Sequence, residues 1–256
     1  MKVTALKTSH IIIENEILFN VICDSLDYNN IQLKEQSVLV IAETLVGTTE
    51  NRIVEIEEFV KNVSKKAEEL AIKYQIDPKF AQLVLEEADE IVGGIPGMLF
   101  TEKNGILIAN GGIDESNSGI EGMVSLWPED PFGSARDLVQ KIKQKFGIKD
   151  FGIIISDSRV QPIRKGVVGV AIGIDGFYPI VDCRGKKDLF GHEMKWTTRA
   201  IADQLADTAH VVMGECDEQT PFVLIENCPV EFTNEPIAHD SMLMPKKDDL
   251  FYRIWK

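Results

Sequence analysis

Residues 153–166 constrain the fold most. Three consecutive isoleucines, Ile153 to Ile155, stop at Ser156-Asp157-Ser158, and turn-forming and basic residues follow: Pro162, Arg164, Lys165 and Gly166. An apolar run bounded by turn signals suits a strand covered on both faces, and such strands belong to layered α/β architectures. In open α/β sheets ligands gather at the carboxyl ends of the strands. An Asp and hydroxyls delivered there, with cations just beyond, suit metal and phosphate chemistry. Asp also ends strands simply because it opens turns, and these residues alone leave both readings standing.

Other segments read in the same way. Residues 2–13 predict a strand. Residues 16–26 predict a short helix with Ile17, Val21, Ile22 and Leu26 inward, and residues 38–46 a strongly apolar strand. Val60, Val63, Ala67, Leu70 and Tyr74 recur at helical spacing. Asp77-Pro78 then offers an N-cap and an N1 proline for a helix whose inner stripe is Ala81, Val84, Ala88 and Ile91. Its acidic residues, Glu86, Glu87, Asp89 and Glu90, read as a solvated face. Residues 93–97 break the chain, and residues 98–109 predict a hairpin turning at Asn104-Gly105. A short strand closes at Leu126. Ser134 is expected to cap a helix carrying Leu138, Ile142 and Phe146. A strand ends at Asp157, and a glycine-studded one spans 166–176. A helix over 197–213 turns Ile201, Leu205, Thr208 and Val212 inward and stops at Gly214. Residues 222–226 form a last strand. The expected class is mixed α/β (α+β), as one domain over residues 1–256 or two interwoven subdomains.

The net charge of −14 argues against general nucleic-acid binding, which needs cations to neutralise phosphates. It leaves solubility, or carboxylates neutralised by divalent metal. Cys23, Cys183, Cys216 and Cys228 lie far apart without zinc spacing, which implies a reduced, cytoplasmic protein. No signal-peptide pattern or membrane-length apolar run occurs.

The phosphate loop GxxxxGK[ST], GxGxxG, GxSxG and HExxH are all missing. Cys183 reads as structural, and His10, His192, His210 and His239 as scattered surface or core residues. Carboxylates at turns remain. Residues 111–117, GGIDESN, place Asp114 after two glycines; residues 213–221, MGECDEQTP, place Glu215 just past a helix end. With Asp157, three oxygen-rich turns suggest a hard-cation site for magnesium or manganese, although each alone reads as a polar loop.

Taken together, the blocks ANGGIDESN, SLWPEDPFGSAR, IIISDS…PIRKG, VAIGIDG, DCRGKKDLFG, ADQLADTAHVVMGECDEQTP and the terminal DDLF resemble the coenzyme F-420:L-glutamate ligase family. The resemblance runs over most of residues 36–226. It implies that family's mixed α/β fold and an intertwined homodimer. It implies a GTP-dependent amide ligase, with ATP an alternative, that adds L-glutamate through a γ-linked amide to a deazaflavin phospholactate by way of an acyl phosphate. It also implies two divalent ions, Mn2+ or Mg2+. Phosphoryl transfer needs positioning and charge neutralisation more than a protein nucleophile, which accounts for the missing triad.

Matched position by position, the resemblance assigns metal ligation to Asp114, Asp157, Ser158 and Glu215, with Ser158 standing where the family has Thr. Asn117, Met213, Gly214, Cys216, Asp217, Glu218, Gln219 and Thr220 fall on nucleotide-binding positions. Arg164 fits a catalytic arginine, alongside Asp157. Thr44 and Thr48 occupy positions where the family usually carries phosphate-facing lysines, and Glu43 stands in place of Gln. Val160-Gln161-Pro162-Ile163 replaces a Gly-Arg-Pro-aromatic segment, and Leu6-Lys7-Thr8-Ser9-His10 stands where a Gly-Leu/Ile-Pro block is usual. Kept metal positions beside altered phosphate positions leave open a pterin-like acceptor such as folate, or a nucleotide-binding homologue without turnover.

Overall fold

The computed structural model describes residues 1–116, 119 and 122–252. The chain opens with β1 (Lys2–Leu6), α1 (Leu18–Tyr28), β2 (Ser37–Ala42) and α2 (Glu43–Thr49). A smaller substructure follows: β3 (Ile53–Glu55), α3 (Ile56–Phe59), α4 (Lys65–Tyr74), α5 (Pro78–Glu87), β4 (Glu90–Ile95), β5 (Met98–Lys103), β6 (Ile106–Ala109) and β7 (Met123–Ser125). The chain then returns through α6 (Pro131–Phe146), β8 (Phe151–Val160), β9 (Val167–Asp175), β10 (Ile180–Asp182), β11 (Thr198–Ala200), α7 (Ile201–Met213) and β12 (Phe222–Glu226).

Five strands form the main sheet in the order β1-β12-β2-β8-β9. Only β2 and β8 run parallel; the other neighbours are antiparallel. Helices cover both faces, which is why the central strands are apolar throughout rather than alternating. Leu39, Ile41, Ile153, Ile155, Phe222 and Leu224 pack under α1 and α6. Val38, Val40, Ile154, Val223 and Ile225 pack under α7. A third core, with Phe80, Leu83, Leu99, Val124 and Leu126, holds the smaller substructure together.

Strand β9 is a sheet edge. Its outward N–H groups, at Gly169 and Ala171, donate to Asp207 Oδ1 at 3.2 Å and Asp203 Oδ1 at 3.1 Å, both on α7. Gly169 lets α7 come close, since a Cβ there would meet the Ala206 backbone at 2.8 Å.

The mixed α/β class is confirmed, and so are the Asp77 cap on α5, the Asn104-Gly105 hairpin and the strand over 222–226. Other expectations need correction. The first strand ends at Leu6, where its partner β12 runs out, and residues 7–13 leave the sheet. Ile17 is exposed and precedes α1. The apolar run 38–46 is strand only to Ala42; it then becomes α2, because Leu45 and Val46 reach the core one helical turn on. Periodicity cannot divide such a run. Ala88 ends α5 in an extended conformation, so Ile91 belongs to β4. Asp130, not Ser134, caps α6, accepting from the Gly133 N–H at 2.9 Å with Pro131 at the first position. Strand β8 continues past Asp157 to Val160. Helix α7 starts at Ile201 because residues 198–200 pair with β10; Ala202, Ala206, Ala209 and Met213 face inward, while Val212 is exposed. Among the described residues no helix is long and apolar enough to cross a membrane.

Candidate active site

The parallel pair builds the floor of the site. In the β2–β8 register Ala42 lies opposite Ser156, so the next residues, Glu43 and Asp157, emerge side by side at the carboxyl ends, as ligand sites in α/β sheets do. Between Ile155 and Ser156 the β8–β9 register slips, and such irregularities re-aim side chains beside active sites. A cleft of about 650 Å3 opens there.

The cleft collects most of the residues singled out in the sequence. Asp114, Asp157, Ser158 and Glu215 line it, as do Thr44, Thr48, Met213, Gly214, Cys216, Asp217, Glu218, Gln219 and Thr220. Asn117 lies outside the described residues. Arg164 is exposed in the β8–β9 turn and does not line the cleft. Thr8, Ile11 and Ile12 form part of another wall, held near it by a hydrogen bond from the Thr8 N–H to Gln219 O at 3.2 Å.

Local contacts fix the 213–221 wall. Cys216 N–H donates to Glu218 Oε2 at 2.8 Å, and Thr220 Oγ1 donates to Met213 O at 2.6 Å. The Glu218 carboxyl lies where a Cβ on Gly214 would be, at φ +80°. On α2, Thr44 Oγ1 donates to Glu43 Oε1 at 2.7 Å and Thr48 Oγ1 to Thr44 O at 2.7 Å. Both hydroxyls are therefore satisfied within the helix.

Charge is the dominant property. Glu43, Asp114, Asp157, Glu215, Asp217 and Glu218 line the cleft; among the described lining residues there is no Lys or Arg. Burial raises the pKa of Asp157 to about 7. The indole of Trp127 and the Ser158 N–H oppose the shift, and the charges of Asp114 and Glu215 add to it. Glu43 is pushed well above its usual range, first by burial and then by Asp157. Uncompensated carboxylates of this kind mark functional sites and the places where cations neutralise charge.

The donor set fits a hard divalent cation: carboxylate oxygens and a Ser hydroxyl, without sulfur or imidazole on the matched positions. Among the described residues no three His, Cys, Asp or Glu side chains stand ready-grouped around one ion. Magnesium-type sites often use one or two carboxylates and complete their shell with substrate phosphates and water.

Sequence reasoning passed over three neighbours of the site. Glu43 was noted as a replacement, not as a buried group. His210 Nε2 lies 3.0 Å from Ser156 Oγ, and its Nδ1 lies 3.1 Å from Glu215 Oε1; its position four residues before Gly214 was the available signal. Trp127 Nε1 donates to Asp157 Oδ2 at 2.7 Å, a link between distant segments that spacing does not reveal.

Comparison with known proteins defines the class. The family model described as F420-0:Gamma-glutamyl ligase matches residues 7–227. The chain is 42% identical over 220 residues to the coenzyme F420:L-glutamate ligase of Methanocaldococcus jannaschii, covering 86% of each chain. It is 41% identical over 201 residues to that of Methanopyrus kandleri (78% of each) and 35% identical over 231 residues to that of Methanothermobacter thermautotrophicus (90% of each). An amide-forming γ-glutamyl ligase is the class that these matches support. The chain belongs to the F420-0:gamma-glutamyl ligase family.

Proposed function

We propose that this protein joins the amine of L-glutamate in an amide to the carboxylate of a heterocyclic acceptor, coenzyme F420-0 first, at the expense of GTP; the amide is γ-linked where the activated carboxylate is the γ-carboxylate of a glutamyl unit already on the acceptor. The observation that carries this reading is the carboxylate-lined cleft in a chain whose family match covers residues 7–227. The acceptor carboxylate attacks the γ-phosphorus, and nucleoside diphosphate leaves. The neutral glutamate amine then attacks the acyl carbon, an amide C–N bond forms, the C–O bond to phosphate breaks, and the nitrogen gives up one of its two protons to water. A free carboxylate is a poor acyl donor, and phosphorylation supplies the leaving group.

Asp114, Asp157, Ser158 and Glu215 are the side chains that would hold two divalent ions, Mn2+ or Mg2+. When bound, the ions would neutralise phosphate charge that a cleft rich in carboxylates, with no Lys or Arg among its described lining residues, would otherwise repel. The α2 hydroxyls of Thr44 and Thr48 and the wall from Met213 to Thr220 offer neutral contacts for the nucleotide. The homodimer would bury the exposed apolar side chains Ile163, Leu189, Phe190 and Trp196.

Incubating the protein with manganese, glutamate and GTP or ATP, with coenzyme F420-0 and a reduced folate as separate acceptors, tests the reaction. Mass spectrometry should show one added glutamyl unit on coenzyme F420-0. A product on folate alone would change the acceptor assignment, and nucleotide binding without product on either would make the chain a non-catalytic homologue. The nucleotide should bind more weakly than micromolar, because Thr44 and Thr48 carry no charge and a charge-assisted phosphate contact is worth ~1.5–3 kcal/mol. Thr48→Lys is expected to tighten GTP binding at least about tenfold by calorimetry; unchanged affinity would mean that the triphosphate lies elsewhere.

A further inference from the structure

Behind Asp157 lies a buried apparatus that the reaction scheme does not use. Its contact with the site is the Trp127 indole N–H on Asp157 Oδ2 at 2.7 Å, with Trp127 only 1% exposed. Two cations grip the same residue. Lys103 Nζ stands 5.2 Å from the centre of the indole ring, within cation–π range. Arg52 Nε donates to the Trp127 carbonyl at 3.0 Å. One carboxylate holds both cations: Glu87 accepts two hydrogen bonds from Arg52 Nη2, each at 3.0 Å, and one from Lys103 Nζ at 2.6 Å. Gly112, at φ +73°, leaves the space the indole fills; a Cβ there would collide with Trp127.

We infer that Trp127, braced by the Glu87–Arg52–Lys103 cluster, is a positioning residue that fixes the Asp157 carboxylate so that Oδ1 faces the cleft and binds the divalent cation. Oδ2 is committed to the indole. Among the described residues Oδ1 accepts from the adjacent Ser158 N–H alone, at 2.6 Å, and a carboxylate oxygen has a further lone pair to give. Outer partners that lock a ligand's rotamer are typically worth about 10–100-fold in metal affinity or activity. The inference rests on the reading of Asp157 as a cation ligand.

The test measures manganese binding and the indole itself, not turnover alone. The chain has three tryptophans, so the nitrogen–proton spectrum should hold three indole signals, and Trp127→Phe assigns one by deleting it. Asp157→Ala should move that signal upfield by loss of its acceptor. Trp127→Phe should weaken manganese binding, followed by the electron-spin signal of the free ion, by about tenfold or more. Lys103→Met, which leaves the indole N–H in place, should weaken it less. A merely structural tryptophan would lower the melting temperature and leave the manganese dissociation constant where it was. Wild-type affinity in Trp127→Phe, or an indole signal indifferent to Asp157→Ala, would overturn this inference alone. A wild-type protein that takes up no manganese would overturn it together with the metal reading.

Discussion

Asp157→Asn is expected to abolish manganese-dependent glutamyl transfer while making the metal-free protein more stable at alkaline pH. The loss of turnover should exceed the ~10–100-fold typical of an outer-shell partner, since the residue removed would hold the ion itself. The gain in stability follows from the direction of the pKa shift. Folded Asp157 titrates at about 7 and the free carboxyl near 3.8. Between these values the folded chain holds a proton that the unfolded chain has released, so its stability falls as pH rises through that window. Asparagine cannot ionise and escapes the fall. With chelator present, the variant should melt several degrees above wild type at pH 8, and the two should converge towards pH 4. A variant that melts below wild type at pH 8 would show that the carboxylate is already compensated in the free protein.

Glu87→Gln should produce the largest loss of stability. Arg52, Glu87 and Lys103 side chains are 26%, 13% and 10% exposed, so their charges are poorly hydrated, and burial already lowers the Lys103 pKa against the pull of Glu87. Removing the one carboxylate between two enclosed cations typically costs ~3–5 kcal/mol. For a chain of this size that corresponds to a fall of roughly 10 °C in melting temperature. Thermal melts in parallel with Glu86→Gln, one position earlier, provide the control, because that side chain is a solvated neighbour. Equal melting temperatures would refute a structural role for the cluster.

Glu87 also shows where the sequence stops being informative. Periodicity places it on the outer face of an acidic helix, and helical spacing contains nothing about Arg52, which lies 35 positions away. The core was legible because burial leaves a local trace: Ile153 to Ile155 and Phe222 to Ile225 are apolar since both sheet faces are covered. Boundaries such as Ala42–Glu43 were not, because an apolar run satisfies a strand and a buried helix equally. The walls of the cleft were recovered by family resemblance, since Asp114, Asp157 and Glu215 come from three segments distant in sequence, Asp157 from within β8. The same resemblance covers Trp127 and His210 but assigns neither a role, because their roles rest on hydrogen bonds to Asp157, Ser156 and Glu215 that only the fold shows. Arg164, assigned in the same way, stands outside the cleft of the single chain.

The two aspartates along α7 bear on the behaviour of the chain in concentrated solution. An edge strand with free N–H groups is a template on which another chain can add a strand. On β9, Asp203 and Asp207 occupy the donors at Ala171 and Gly169, and an incoming backbone would have to displace both carboxylates to pair there. A sixth strand is thereby discouraged at this edge of the main sheet, and with it the edge-to-edge association of one chain with another.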